Sequence, residues 1–299
     1  MRCRTLPMLA VFSALALIGS LPLYSQNTQP PSSAVQLAYR FAPGTAARYQ
    51  ISQRLTGTRW LPGASVALPI DAELTSIIRV RCVQALADGC MDLEIATEAA
   101  SLKMDGKPVP SYEAPKDIRK IRITPTGKVI STGRQGEGSG QQRSPLDFGS
   151  IESIVLMAVL PDKPVDIGGT WAAELPLPFD SMSRLKLGFT LEKVESTTDG
   201  RVARIKQIMS TPINPGGSNG SATPRGSQEG RADLLFSVDR GILISAQGTT
   251  KSTVAVPVEM PESGSGEQPQ KSFTAVALDS KFSVALLPVT GGARGSAVR

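Results

Sequence analysis

One pattern governs the chain between Val35 and Leu286: apolar and polar residues alternate with a period of two, and turn-forming residues cut the alternation into runs. Val35, Leu37, Tyr39 and Phe41 share one parity, with Gln36 and Arg40 on the other. After Pro43-Gly44 the pattern resumes with Tyr49, Ile51 and Leu55 against Arg48, Gln50, Ser52 and Arg54. Successive side chains of a strand point to opposite faces, so each run predicts a strand with one wet and one dry side. Leu102 and Met104 lead into Asp105-Gly106, and Ile121 and Ile123 turn at Pro125-Thr126-Gly127. Leu185 to Leu191 run towards Asp199-Gly200, and Leu234, Phe236 and Val238 towards Asp239-Arg240-Gly241. Val276, Leu278, Phe282, Val284 and Leu286 share one parity in a long final run. Turns of this kind between alternating runs are hairpin signals. The predicted fold is mainly β, a large antiparallel sheet, curved or closing into an open barrel of hairpins.

The segment Ser150–Leu160 (SIESIVLMAVL) breaks the alternation. Good helix formers follow a plausible N-cap serine and precede Pro161, which predicts one α-helix at about 150–160, packed on the sheet.

Cys82 and Cys90 flank a candidate hairpin. Pairing Val80 with Leu93 sets Ile78 against Ile95, Arg81 against Asp92 and Arg79 against Glu94, so one register satisfies both faces. It also sets Cys82 opposite Met91, so a disulfide between Cys82 and Cys90 needs a bulge near Asp88-Gly89. The bridge is nevertheless expected, as a structural link, because the chain carries an export signal and exported cysteines pair. That signal is Met1–Ser25: Arg2 and Arg4 precede the apolar stretch Leu9–Ile18, which is too short to span a bilayer. A periplasmic or secreted bacterial protein is therefore expected, with no transmembrane segment once the signal is removed.

Residues 34–287 read as a single β-rich domain between flexible tails at 26–33 and 288–299. Gly, Ser, Pro and Gln mark mobile loops near 131–144, 214–230 and 259–270. The signal holds two arginines and no acid, so its removal takes the formal charge from +6 to +4. The remaining charges are well mixed, which argues against nucleic acid as a partner.

Composition matters most at one zero. The chain has no histidine, which excludes Ser-His-Asp and Cys-His catalysis and imidazole metal sites. Gly216-Gly217-Ser218-Asn219-Gly220 matches the letters of a nucleophile elbow without its partner base. Ser183-Arg184-Leu185-Lys186 matches a Ser-x-x-Lys pair, but strand alternation sends Ser183 and Lys186 to opposite faces. Paired carboxylates need no histidine, and Asp162 and Asp166 are one such pair, in a loop where capping their own backbone is the commoner role. Trp60 and Trp171 are the only tryptophans, few for stacking on sugars. No calcium loop, phosphate loop or dinucleotide motif is present, and no cofactor is expected.

The stretches VQLAYRFAPGTAARYQISQ (35–53), LPDKPVDIGGTW (160–171) and FSVDRGILIS (236–245) resemble a group of exported bacterial proteins of unknown function. The resemblance implies a β-rich exported domain and transfers no catalytic residues. Lipoprotein carriers with a curved sheet over a helix are similar in outline. The resulting expectation is a non-enzymatic binding, carrier or envelope-associated protein, its partner a hydrophobic small molecule or an envelope protein. The alternatives are a histidine-free hydrolase using paired carboxylates and a purely structural or assembly domain.

Overall fold

A computed structural model describes residues 34–62, 66–110, 112, 118–135, 158–177, 180–213, 225–259 and 271–288. They form twelve strands: β1 (Ala46–Trp60), β2 (Leu68–Ala85), β3 (Met91–Met104), β4 (Lys107–Pro108), β5 (Ile118–Ile123), β6 (Val129–Gln135), β7 (Thr170–Leu177), β8 (Asp180–Thr197), β9 (Gly200–Ile213), β10 (Arg225–Ser237), β11 (Ile242–Glu259) and β12 (Lys271–Leu286). All belong to one open antiparallel sheet in the order β6-β5-β3-β2-β1-β12-β11-β10-β9-β8-β7, with β4 paired to β3. Two meandering wings therefore meet where the first strand pairs with the last, from Tyr49 opposite Leu286 to Trp60 opposite Ala275.

The alternation read in the sequence sorts the two faces. On the inner face Ile51, Ile78, Leu93, Ile205, Leu234 and Val284 are buried, and charged residues occupy the opposite parity. Two straps cover one end of this inner face. The first is 35–41. Its Val35 bridges to Val165, the Tyr39 N–H donates to Pro125 O at 2.7 Å and the Arg40 N–H to Gly241 O at 2.9 Å. Leu37, Tyr39 and Phe41 thus fill the core as a strap rather than as the ladder strand their alternation predicts. The second is 158–165, in which Ala158, Val159 and Leu160 are all buried. The Tyr39 hydroxyl donates to Ala158 O at 3.1 Å and the Trp171 Nε1–H to Val159 O at 2.6 Å, so the straps hold each other and β7.

Several expectations change. The helix expected at 150–160 lies outside the described residues up to 157, and Ala158–Leu160 are not helical. The loop expected at 131–144 begins as strand, since Ser131–Gln135 complete β6, and that at 214–230 ends as strand, since Arg225–Gly230 open β10. Glu259 closes β11, and the rest of those segments, with both expected tails apart from Pro288, lies outside the described residues.

The β2–β3 register is displaced by two residues from the one predicted: Val80 faces Ile95, Arg81 faces Glu94 and Cys82 faces Leu93. An even displacement leaves every side chain on its expected face, so the pattern alone does not detect it. The expected Cys82–Cys90 disulfide is absent, and both residues are buried free thiols. The register explains this. Cys90 stands three residues before Leu93, the partner of Cys82, which is roughly 10 Å along an extended chain, whereas a disulfide requires Cα atoms about 4.4–6.8 Å apart. The bulge at Val83, between Cys82 and Gln84, does not close that gap.

Candidate binding groove

Register aligns one inner-face residue from each of six neighbouring strands into a row: Leu74, Gln53, Phe282, Gly248, Ala232 and Gln207, on β2, β1, β12, β11, β10 and β9. A groove of about 810 Å³ is centred on this row and takes in the residue on either side of each along its strand. Phe189 on β8 and Trp171 on β7 continue the row, their rings stacked at 5.3 Å.

Phe282, Ala232 and Gln207 are buried and Leu74, Gln53 and Gly248 part-exposed, and the row is not wholly apolar. The Gln53 Nε2–H donates to the Ser280 hydroxyl at 3.1 Å, which satisfies that amide in part. Gln207 differs. It is 1% exposed, and neither its amide nitrogen nor its amide oxygen has a hydrogen-bond partner. The buried hydroxyls of Ser76 and Thr211, on the same face, are also unpartnered. No side chain of the row is ionisable. The flanking rows, Ile51–Val284–Ala246–Ile205 towards the straps and Leu55–Ser280–Thr250–Met209 away from them, carry none either.

Gly248 makes room in the centre. A Cβ there would overlap the Arg231 carbonyl and lie 2.7 Å from Phe282 Cζ. The ring of Phe282 thus lies over a bare backbone.

Charge is kept to the other face, in cross-strand pairs. Arg54 faces Glu73 across β1–β2 and lies 3.2 Å from Asp71. Arg122 grips Asp92 with two hydrogen bonds, at 2.7 and 2.9 Å, which holds the Asp92 carboxyl below its usual range. Arg201 does the same to Asp239 through its guanidinium and backbone N–H. Burial pushes the Tyr39 and Tyr49 hydroxyls well above their ordinary values; both donate to backbone carbonyls, Tyr49 to Leu243 O at 3.1 Å. Burial also pushes the Cys82 and Cys90 thiols up.

The residues singled out from the sequence do not converge on the groove. Asp162 is exposed and pairs with Lys128 at 3.2 Å, and the Asp166 carbonyl accepts the Gly169 N–H in a turn. Ser183 and Lys186 lie on one strand, three residues apart, with Lys186 exposed. Residues 216–220 lie outside the described residues. Trp60 is exposed at the end of β1, whereas Trp171 is a strap anchor. Among the described residues no group of three or more Cys, Asp and Glu is placed to hold a metal ion. The residues sequence reasoning missed, Gln53 and Gln207, did carry a signal: each is a polar residue on the apolar parity, in Ile51-x-Gln53-x-Leu55 and Ile205-x-Gln207-x-Met209.

No family model matches the chain, and no curated protein does. Among solved structures, the chain is similar to one described as lipid–protein interactions in lipovitellin, with a TM-score of 0.43 and 10% sequence identity. The match covers 85% of this chain and 27% of that one, so the chain spans about a quarter of the lipovitellin chain's length.

Proposed function

We propose that this protein is an exported, non-enzymatic binding or carrier protein that holds a hydrophobic small molecule on the inner face of its sheet. Export rests on Met1–Ser25, which has the charge and apolar length of a secretory signal. Membership of the exported bacterial group it resembles belongs to the same reading. The observation that carries the binding role is the groove: about 810 Å³ of space, within the size range of small-molecule sites, along a row that mixes Leu74, Phe282 and Ala232 with two glutamines. The charged residues among its lining, Arg54, Glu73, Lys206, Arg231, Asp233 and Lys281, stand on the opposite parity of their strands. A purely structural sheet would fill such a space with side chains, since interiors pack densely. The described carboxylates whose proton affinity is displaced, Asp88, Asp92, Glu195 and Asp239, are all held low. A glycosidase-type acid needs the opposite shift.

Binding of N-phenyl-1-naphthylamine, a neutral fluorophore that brightens in apolar surroundings, tests this directly. Saturable binding is expected, and Ala232→Phe, which fills the groove floor, should abolish it without unfolding the protein. Native mass spectrometry of protein from its producing cells should show a co-purifying small molecule. Absence of both signals overturns the reading.

A further inference from the structure

The groove has more chemical detail than an apolar hollow. Gln207 is 1% exposed, its amide is unpartnered on both atoms, and it lines the groove at the β9 end. A buried primary amide has two hydrogens to give and a carbonyl oxygen that accepts, and burying it unsatisfied is unfavourable unless something else completes it. The other amide of the row, Gln53 on β1, already donates to Ser280. The groove is thus polar and incomplete at β9, and between the two amides it runs over Ala232, Gly248 and Phe282.

From this we infer that the ligand is a neutral amphiphile, with a hydroxyl- or amide-bearing headgroup that sits on Gln207 and an apolar body that lies over Ala232, Gly248 and Phe282. The inference rests on the binding role proposed above and specifies its ligand class. Charge decides between headgroups. A fatty-acid carboxylate would accept from Gln207 Nε2 but offer no hydrogen to Oε1. The four cations among the lining residues, Arg54, Lys206, Arg231 and Lys281, stand on the opposite parity of their strands. A carboxylate at Gln207 would therefore also leave its charge unpaired on the inner face, and an unpaired buried charge is strongly unfavourable. A hydroxyl or amide both donates and accepts, so it completes both atoms of Gln207. The free hydroxyl of Thr211 lies four residues further along β9, roughly 13 Å away, and outside the groove lining; the headgroup is therefore assigned to Gln207 alone.

Displacement of bound N-phenyl-1-naphthylamine at pH 8 tests the assignment, with 1-monooleoylglycerol and oleate as competitors that share one acyl chain. In the wild type, monooleoylglycerol should displace the fluorophore with a dissociation constant at least about tenfold below that of oleate. Gln207→Leu and Gln207→Met should narrow that gap to about threefold or less, the gap being the ratio of the two competitors' constants measured against the same fluorophore in the same variant. Equal displacement by the two competitors in the wild type overturns the headgroup assignment, as does a gap that survives both substitutions. Those results leave the binding role standing, because the fluorophore is still bound and displaced. Failure of the fluorophore to bind at all instead overturns the binding role and the ligand class with it.

Discussion

At the scale of single residues, the inner face follows burial except at a few polar positions, and those are where stability and binding separate. Gln207→Leu removes an unpartnered buried amide and adds apolar contact with the dry surroundings. The ligand-free protein should therefore gain about 1–3 kcal/mol, read from urea denaturation. Tyr39 is the converse case, because its buried hydroxyl is satisfied by Ala158 O and joins the two straps. Tyr39→Phe should lose about 1–2 kcal/mol in the same measurement. The two thiols make a third test. Cys82 and Cys90 are unbridged and buried, and burial disfavours their reactive thiolates. Alkylation mapped by mass spectrometry should leave both untouched in the native protein and label both after denaturation without reductant. A Cys82–Cys90 bridge would block the second labelling.

The strands themselves were readable because alternation and turn residues act locally, whereas register depends on residues that add to one strand without adding to its partner. β2 and β3 show this clearly. Arg79, Arg81, Asp92 and Glu94 take the face that alternation assigns them, yet the turn after Ala85, closed by the Leu86 N–H on Cys90 O, displaces the pairing by three and the bulge at Val83 returns one, which leaves two. Parity survives such a shift and register does not. Composition misled in a different way at Ser131–Gln135 and Arg225–Gly230. Residues that read as loop enter the ladder there because a neighbouring strand satisfies their backbone groups, β5 in one case and β9 and β11 in the other. The groove was legible only in part. Gln53 and Gln207 break the apolar parity of their strands, but their common row exists only once six strands are in register. The same geometry makes Gly248 an element-scale determinant. Gly248→Ala would press on the Arg231 carbonyl and the Phe282 ring. It should destabilise by about 1–3 kcal/mol and weaken fluorophore binding as Phe282 is pushed into the groove.

For the whole molecule, two features set how the sheet responds to its surroundings and how it is assembled. With no histidine in the chain, no side chain of ordinary pKa titrates between about pH 5.5 and 8, and thermal stability should be flat across that range. Asp92 and Asp239 are held below the usual carboxylate value by Arg122 and Arg201. In acid the unfolded chain therefore binds protons that the folded chain does not. Their contribution is complete above the unfolded pKa and is lost as pH falls through the lower folded one. Melting temperature should drop below about pH 4, and less steeply in Arg122→Gln, which frees Asp92 of its partner. The second feature is the seam between β1 and β12. Every other neighbour in the order β6 to β7 is reached within one wing, but the wings are joined only by pairing the first strand with the last. Contacts of such sequence separation form late, because a long loop must close first. At the seam Gly57 lies so close to the Ala277 carbonyl that any side chain would collide with it. Gly57→Val should therefore act on the join between wings rather than on one hairpin, and deletion of Lys271–Leu286 should remove the join altogether. Circular dichroism through a urea titration should show a weakened or split transition for the first variant and no cooperative transition for the second. A deletion variant that still unfolds in one sharp step would mean that the wings are stable without their seam.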